Sequence, residues 1–203
     1  MPSEIVIATY ADVAAESEEA FRKWQADVQL AALHASSGVT SASCFESVEG
    51  QPRFLLLCEL EYEALAQSAP IRAALDLGPW MRTLRGWHRR SYRPLFAMGS
   101  SDRSAPYLLT VRVDVERGAE DAFNDWYNQT HVPEVLDCPG FVAAARYECV
   151  DGEPRYLAMY DLDRPDALST PEMDRVYGFG PMTARLRSEH GRIYARRPDG
   201  EQG

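Results

Sequence analysis

The 203-residue sequence lacks the residue spacings that mark metal and cofactor sites. Its four cysteines form no C-x-x-C pair, and none of its four histidines lies three to five residues from another, so a zinc site is not expected. It contains no phosphate-binding glycine loop and no Ser-His-Asp signature. A metal or nucleotide mechanism therefore has no support in the sequence, and we expect an activity without a metal or other cofactor.

Long apolar runs and clustered positive charge are also scarce. No apolar run approaches the roughly 20 residues of a membrane span, and the first residues, MPSEIVIATY, show no basic region followed by an apolar core. The net charge of −10 disfavours a nucleic-acid partner, because binding to a phosphate backbone depends on clustered positive charge. With 45% apolar residues, the composition predicts a globular, cytoplasmic protein that binds neither membrane nor nucleic acid.

What the sequence does contain is an internal repeat. When the chain is shifted by 102 residues against itself without a gap, 22 of the 88 pairs from Ile5/Tyr107 to Tyr92/Tyr194 are identical. Unrelated sequences of average composition would share about five or six. Tandem duplication explains this match, and the Gly-, Ser- and Pro-rich stretch 99–106 (GSSDRSAP) predicts a linker. We therefore expect a first repeat over 1–98, a second over 107–198, and a disordered tail over 199–203.

Each repeat shows the same order of predicted elements. A β-branched run precedes an amphipathic helix, whose buried face in the first repeat is formed by Phe21, Trp24 and Val28. A strand pair follows, joined by EGQP or DGEP, in which Glu-Gly and Asp-Gly indicate a hairpin. Weaker helices over 70–86 and 172–189 and a last strand complete the order β-α-β-β-α-β.

This order predicts an α+β fold of two tandem ferredoxin-like βαββαβ units, each with both helices on one face of a four-stranded antiparallel sheet. The other face of each sheet must be covered. A duplicated chain can cover it with its own second copy, so that the two antiparallel sheets pack as an α/β barrel within one chain. Pairing of each half with another chain, as a homodimer, is the alternative.

The second repeat resembles a known family. The residues that carry the resemblance are Trp126, Tyr127, His131-x-Pro133 and Pro139-Gly140-Phe141. On these the chain resembles the dimeric α/β-barrel superfamily, and its second half resembles the EthD-like branch. The resemblance implies a functional histidine at position 131, where the first repeat has Gln29. Relatives in the superfamily include cofactor-free monooxygenases, polyketide cyclases, muconolactone-type isomerases, decarboxylases and haem-binding enzymes, so the fold alone selects no reaction.

His131 is the leading candidate for catalysis. It lies on the predicted apolar face of its helix with Phe123 and Tyr127, where an imidazole can transfer protons near neutral pH. The alternative is a core histidine that is hydrogen-bonded to a backbone carbonyl. Because Pro133 disfavours helix at the residue before it, this helix should break near Val132.

The pocket beside this histidine should differ between the repeats. We expect it to be open in the second repeat, and to be filled in the first by Val28, Gln29 and Leu33.

Further residues are candidates for the same site. Those expected to assist catalysis are Tyr127 and His190. Those expected to contact substrate are Trp126, Asn128, Arg112, Arg146 and Tyr194. Retention in both repeats favours a structural role for Trp126, His190 and Tyr194, with His190 capping the second helix.

The two arginines occur only in the second repeat. Arg112 and Arg146 stand among apolar strand residues, where Tyr10 and Cys44 occupy the matching positions of the first repeat. Each either pairs with a carboxylate nearby in sequence, Asp114 or Glu148, or binds an anionic group of the substrate.

Together these features predict a cofactor-independent enzyme that acts on a small aromatic or polyketide-like molecule by proton transfer, as an isomerase, cyclase, dehydratase or decarboxylase. One alternative is a non-catalytic protein that binds a small molecule. The other is a monooxygenase, either cofactor-free or haem-dependent, with His131 or His190 as the iron ligand.

Overall fold

The computed structural model describes residues 3–100 and 104–198. The predicted tail over 199–203 and part of the predicted linker, 101–103, lie outside these residues. The contacts divide the chain into two units: the residues up to Arg93, joined by the strand end that begins at Arg196, and Pro94–Ala195. No helix within the described residues is long and apolar enough to cross a membrane.

The first unit follows the predicted β-α-β-β-α-β order. Its elements are β1 (Ile5–Asp12), α1 (Glu18–Trp24), α2 (Ala31–His34), β2 (Val39–Ser47), β3 (Phe54–Leu60), α3 (Ala69–Leu75) and β4 (Arg85–Gly99). A π-helical segment, Gln25–Leu30, joins α1 to α2 without a break, and we call these three segments the first long helix.

The second unit repeats this order. Its elements are β5 (Tyr107–Val115), α4 (Glu120–Trp126), α5 (Val132–Leu136), β6 (Phe141–Cys149), β7 (Tyr156–Leu162), α6 (Met173–Val176) and β8 (Leu186–Arg196). A π-helical segment, Tyr127–His131, joins α4 to α5, and these three segments form the second long helix.

Every strand pairing shown within the units is antiparallel. In the first unit β1 pairs with β3 and β4, and β2 pairs with β3. In the second, β5 pairs with β7 and β8, and β6 pairs with β7. After the end of β8, the Arg197 backbone N–H donates to the Cys44 carbonyl of β2 at 3.0 Å. Each unit thus combines helices with antiparallel strands, which confirms the predicted α+β fold class.

The second helix of each unit is much shorter than predicted. In place of helices over 70–86 and 172–189, each unit has a short α-helix and a 3-10 turn, Gly78–Arg82 or Gly180–Arg185. Both turns open with a Gly-Pro pair whose glycine has positive φ, 43° at Gly78 and 42° at Gly180. A left-handed residue followed by a proline without an N–H cannot continue an α-helix.

The second long helix does not break near Val132, as the sequence predicts. It continues through Pro133 to Leu136, because the π-helical turn just before the proline changes the local hydrogen-bond register. The helix therefore presents residues on both sides of the turn to the sheet. Insertions of this kind recur at functional sites, and this one ends at His131.

The buried face of the first long helix also differs from the prediction. Val28 is 52% exposed, whereas Gln25 and Gln29 are buried beneath the helix. The extra residue of the π-helical segment rotates the helix face, so a pattern based on 3.6 residues per turn selects the wrong side chain. Of the residues expected to fill the first pocket, Gln29 and Leu33 are buried and Val28 is not.

Candidate functional site

The candidate site lies between the second long helix and the sheet formed by β6 and β7. Its apolar side is built by Phe123 and Tyr127, one turn apart on the helix and both buried. Their rings meet edge to face, with centroids 5.2 Å apart. Phe123 also packs on Tyr156 of β7 at 5.2 Å, which fixes the helix over the sheet.

A buried arginine occupies the centre of this layer. Arg146, on β6, is 1% exposed. Its Nη1 donates to Asn128 Oδ1 at 2.5 Å, and its Nη2 donates to Asn124 Oδ1 at 2.8 Å. Burial lowers the pKa of the guanidinium from its ordinary value. Within residues 3–100 and 104–198 no carboxylate pairs with Arg146, so the expected ion pair with Glu148 is wrong; Glu148 instead accepts from Arg155.

Aromatic rings surround the Arg146 charge in place of a counterion. The guanidinium carbon lies 4.2 Å from the centroid of the Tyr127 ring, 5.3 Å from that of Phe123 and 5.8 Å from that of Tyr156. The faces of these rings carry partial negative charge and attract a cation. The result is a fixed positive charge that is partly desolvated and not neutralised by an acid.

Two tyrosine hydroxyls meet beside this charge. Tyr160 Oη donates to Tyr127 Oη at 3.2 Å. Burial raises the pKa of both phenols, that of Tyr160 well above its ordinary value. Both are therefore neutral at physiological pH and serve as hydrogen-bonding groups, so a deprotonated Tyr127 is not the catalytic base.

His131 lies at the end of the same helical turn, in an aromatic enclosure. The imidazole is 6% exposed and stacks on Trp126, with centroids 4.8 Å apart. Tyr127 contacts it edge-on at 4.8 Å, and the Phe179 ring lies 6.2 Å away. Burial, with a smaller contribution from the charge of Arg146, lowers the pKa of His131 to about 4. The imidazole is thus neutral at pH 7.

The alternative role for His131, a core histidine held by a backbone carbonyl, is not what the structure shows. Within the described part of the chain no hydrogen bond reaches either imidazole nitrogen. The ring is positioned by aromatic stacking alone, so its nitrogens keep their full capacity to exchange a proton with a bound molecule.

Two of the predicted site residues lie on the other face of the sheet. Side chains alternate along a strand, so Leu157 points away from the helix side occupied by Tyr156. Arg112 is the cross-strand partner of Leu157 and, on its other side, of His190. Arg112 and His190 are therefore separated from His131 by the sheet, and His190 lies within β8 rather than capping a helix.

Tyr194 is separated from the site in the same way. It is the cross-strand partner of Leu108, which pairs in turn with Asp161, the residue after Tyr160. Because Tyr160 faces the helix, Tyr194 faces the opposite side, where it is fully buried. The structure thus brings together one part of the predicted set: Trp126, Tyr127, Asn128, His131 and Arg146.

The first unit has different residues at the polar positions of this site. The positions of Asn124, Asn128 and Arg146 are held there by Arg22, Ala26 and Cys44. Arg22 forms ion pairs with Glu46 at 2.5 Å and with Glu18 at 2.7 Å, so its charge is compensated.

Two residues of the site were not singled out from the sequence. Asn124 accepts from Arg146 and donates to Tyr156 Oη at 3.3 Å, and Phe179 encloses His131. A signal for Asn124 was present. It stands four residues before Asn128, on the same helix face, and both asparagines are absent from the first repeat.

No cluster of three or more His, Cys, Asp or Glu side chains that could hold a metal ion occurs among residues 3–100 and 104–198.

Comparison with known proteins shows the fold. No protein-family model and no curated protein sequence matches this chain. Among solved structures, the chain is similar over its whole length to an anthrone oxidase-like protein, covering 96% of that chain at 11% identity with a TM-score of 0.72. It is also similar to a chlorite dismutase variant from Candidatus Nitrospira defluvii, with 98% and 93% of the two chains covered, 10% identity and a TM-score of 0.69.

A third similar structure is a ferredoxin-fold protein from Listeria monocytogenes related to antibiotic biosynthesis monooxygenases. The alignment covers 96% of this chain and 95% of that one at 14% identity, with a TM-score of 0.57. These likenesses show that the chain has a ferredoxin-like fold. The dimeric α/β-barrel superfamily, the EthD-like branch and the tandem duplication stay predictions from the sequence.

Proposed function

We propose that the second unit carries the active site of a cofactor-independent enzyme that removes a proton from a small aromatic or polyketide-like carbon acid. The observation that supports this most is Arg146, a buried cation that has no carboxylate partner in the part of the chain that the structure describes. The ring of Tyr127 lies against this cation on one side and against His131 on the other. The Arg146 cation, which can stabilise negative charge, and the neutral base His131 thus lie on two sides of the Tyr127 ring.

His131 is the proton acceptor in this proposal, and Arg146 stabilises the enolate or phenolate oxygen that forms. A fixed charge in a site shielded from water stabilises developing negative charge more strongly than the same charge in water. The two groups also act on each other. Arg146 lowers the pKa of the imidazole. As negative charge develops near Arg146, that effect weakens and His131 becomes a stronger base at the moment of transfer.

The spacing of the two groups narrows the substrate class. Tyr127 lies between His131 and Arg146, so the carbon that loses the proton and the oxygen that gains the charge are several bonds apart. Conjugated aromatic ketones meet this requirement. In anthrone, for example, the acidic methylene carbon stands across the central ring from the carbonyl. Isomerisation, cyclisation and dehydration of polyketide-like molecules all begin from such an enolate.

Oxygenation is the second candidate function. It is favoured by the similar structures, one anthrone oxidase-like and one related to antibiotic biosynthesis monooxygenases. The same enolate would transfer electrons to O₂, and the overall conversion of anthrone and O₂ to anthraquinone and water balances without an added cofactor. Both candidates therefore share proton abstraction by His131.

Anthrone can be used to test proton abstraction, the step that both candidates share, and to distinguish acid/base chemistry from oxygenation. Under nitrogen in D₂O, loss of the methylene proton signal measures proton abstraction; in air, an oxygen electrode and the absorbance of anthraquinone measure oxygenation. We expect exchange by the wild type well above the buffer rate. Oxygen uptake at the exchange rate would identify an oxygenase, and exchange without uptake would identify acid/base chemistry.

The variant His131→Gln introduces the residue that the first repeat has at this position. Loss of a positioned proton-transfer group should lower exchange by roughly 10² to 10⁴ while binding changes much less. The matched control is His190→Gln, on the opposite face of the sheet, which should keep the wild-type rate. Exchange no faster than buffer, together with saturable anthrone binding, would favour the non-catalytic binding protein. Equal rates for folded His131→Gln and wild type would end the catalytic proposal.

A further inference from the structure

The groups assigned to catalysis in the second unit are covered by other side chains. His131 is 6% exposed, and Tyr127 and Arg146 are each 1% exposed. A substrate therefore reaches the imidazole nitrogens only when a covering side chain moves aside. The other aromatic rings of the site lie on the second long helix or on β7, where backbone hydrogen bonds hold them, whereas Phe179 lies in a loop.

The Phe179 ring occupies the space beside the imidazole. It is 5% exposed, and its centroid lies 6.2 Å from that of the His131 ring, with an angle of 22° between the two planes. The same ring lies 6.2 Å from Tyr127 and 6.4 Å from Phe123. A flat aromatic group thus already lies nearly parallel to the proposed base and against the apolar side of the site.

The loop that carries Phe179 has few attachments of its own. It consists of residues 177–179, between α6 and the following 3-10 turn, and the Tyr177 side chain is 67% exposed. Gly178 has φ 89° with open space where a Cβ would stand, and it makes no hydrogen bond within residues 3–100 and 104–198. Beyond it, the Phe179 carbonyl accepts from the Met182 N–H at 2.7 Å, which fixes the start of the 3-10 turn. Gly178 is therefore the point at which the loop can turn.

The matching loop of the first unit is tied down. Asp76 stands at the position of Gly178, and its φ is −64°. The Asp76 N–H donates to the Ala73 carbonyl at 3.2 Å, and Asp76 Oδ1 accepts from the Gly78 N–H at 3.0 Å. The glycine with positive φ and without these attachments thus belongs to the unit that carries His131.

We propose that Phe179 holds the place of a substrate ring, and that the loop turns about Gly178 to let a flat aromatic molecule take that place. This inference rests on the proposed function, because it describes how a substrate reaches His131. The substrate ring buries its surface against Phe123 and Tyr127, and this burial offsets the contacts that Phe179 gives up. A molecule without a flat ring gains less on entry, so the loop also selects for aromatic substrates.

Diethyl pyrocarbonate measures the opening of the loop without a substrate. It acylates the free nitrogen of a neutral imidazole and must contact that nitrogen, so at pH 7 its reaction with His131 measures how often the loop opens. Peptide mass spectrometry gives the rate at His131 separately from the rate at His190, an exposed histidine of the same unit that serves as the internal reference.

Substitution of Gly178 tests the turning point. The closed loop needs φ 89° at this position, and alanine disfavours that conformation, so Gly178→Ala should raise the His131 rate about fivefold. Gly178→Asn should stay within about twofold of wild type, because asparagine tolerates positive φ better. The matched control is Gly118→Ala, which has the same open space at φ 87° in the turn before α4 and should leave the His131 rate unchanged.

Removal of the Phe179 ring tests what can occupy its place. In Phe179→Ala the covering ring is absent, so His131 should react faster than in wild type by roughly tenfold or more. Benzene should bind in the space left by the ring and slow the His131 reaction again in a saturable manner, because an apolar cavity of this kind takes up a small aromatic molecule. The rate at His190 in the same samples should not depend on benzene.

Three results would overturn the inference. The first is an equal His131 rate in Gly178→Ala and Gly118→Ala, and this comparison decides the proposal if Phe179→Ala does not fold. The second is a wild-type His131 rate in folded Phe179→Ala, and the third is a rate in that variant that benzene does not lower. None of these results depends on turnover. If the loop responds as expected and anthrone shows no proton exchange, the access route stands and the proposed reaction fails.

Discussion

The burial of His131 predicts how the stability of the protein depends on pH, and this prediction can be tested without a substrate. The ordinary pKa of histidine is 6.5, and in the folded protein that of His131 is lowered to about 4, mainly by burial. The unfolded chain therefore binds a proton at a higher pH than the folded chain does. Stability from the neutral imidazole is fully present above pH 6.5 and is lost as the pH falls toward 4.

The size of this loss follows from the two pKa values. Relative to pH 7, linkage gives a destabilisation of about 2 kcal/mol at pH 5 and about 3 kcal/mol at pH 4 from this one group. Other groups also titrate in this range, so the useful quantity is the difference between wild type and His131→Gln. Glutamine does not titrate, and the stability of the variant should fall less steeply on acidification.

Urea unfolding followed by circular dichroism at pH 7, 6, 5 and 4 measures this difference. We expect the free energy of unfolding of wild type to fall by about 2 kcal/mol more than that of His131→Gln between pH 7 and pH 5. His190→Gln, at an exposed position of the same unit, is the control for the histidine-to-glutamine change itself. Parallel curves for wild type and His131→Gln, within about 0.5 kcal/mol, would refute a buried neutral imidazole.

Three further tests probe the packing around the two long helices, each by the urea midpoint of the variants. Arg146→Lys should be more destabilising than Arg146→Met, because lysine keeps the buried charge but cannot bridge both asparagines; the reverse order would contradict this account. Gly140→Ala should cost about 2–4 kcal/mol, because Gly140 has φ 99° and an added Cβ would lie 2.7 Å from Ala167 Cβ, whereas Gly118→Ala, with open space at φ 87°, should cost about 1 kcal/mol. Val28→Thr should change stability by less than about 0.5 kcal/mol, since Val28 is 52% exposed. A larger loss of stability would mean that the Val28 side chain belongs to the core.

The order of elements could be predicted because it depends on local patterns that occur twice. Each repeat contains sequence patterns typical of strands, a hairpin turn and one amphipathic helix. Because the same patterns occur in both repeats, each supports the assignment made for the other. The lengths of the second helices could not be predicted in the same way. Their sequences are compatible with helix over most of 70–86 and 172–189, but Gly78 and Gly180 adopt positive φ before a proline, and that conformation ends the helix.

The partners of Arg146 show why the site was only partly predictable. Sequence proximity pointed to Glu148, two residues along the same strand. The true partners, Asn124 and Asn128, come from the helix that crosses the strand. Strand alternation, by contrast, was available from the sequence. Applied to β5, it would have placed Arg112 on the face away from the helix and removed it from the site.

Each unit has a guanidinium beneath its long helix, but the arginine comes from a different position of the fold in each unit. In the second unit it comes from Arg146 on β6 and donates to two asparagine side chains. In the first it comes from Arg197, beyond the end of β8, and donates to Gln25 and to the Arg22 carbonyl. Position 197 has no arginine counterpart one repeat earlier, where Leu95 stands.

If the repeats arose by duplication, substitution of an arginine at position 44 would not by itself explain this arrangement, because it would not place another arginine beyond the end of β8. The two arginines also have different effects. Arg146 lies against the aromatic ring that contacts His131, whereas Arg197 polarises a pair of amides that ends in a free donor at Gln29. The two layers therefore differ both in where their guanidinium comes from and in the groups to which it donates.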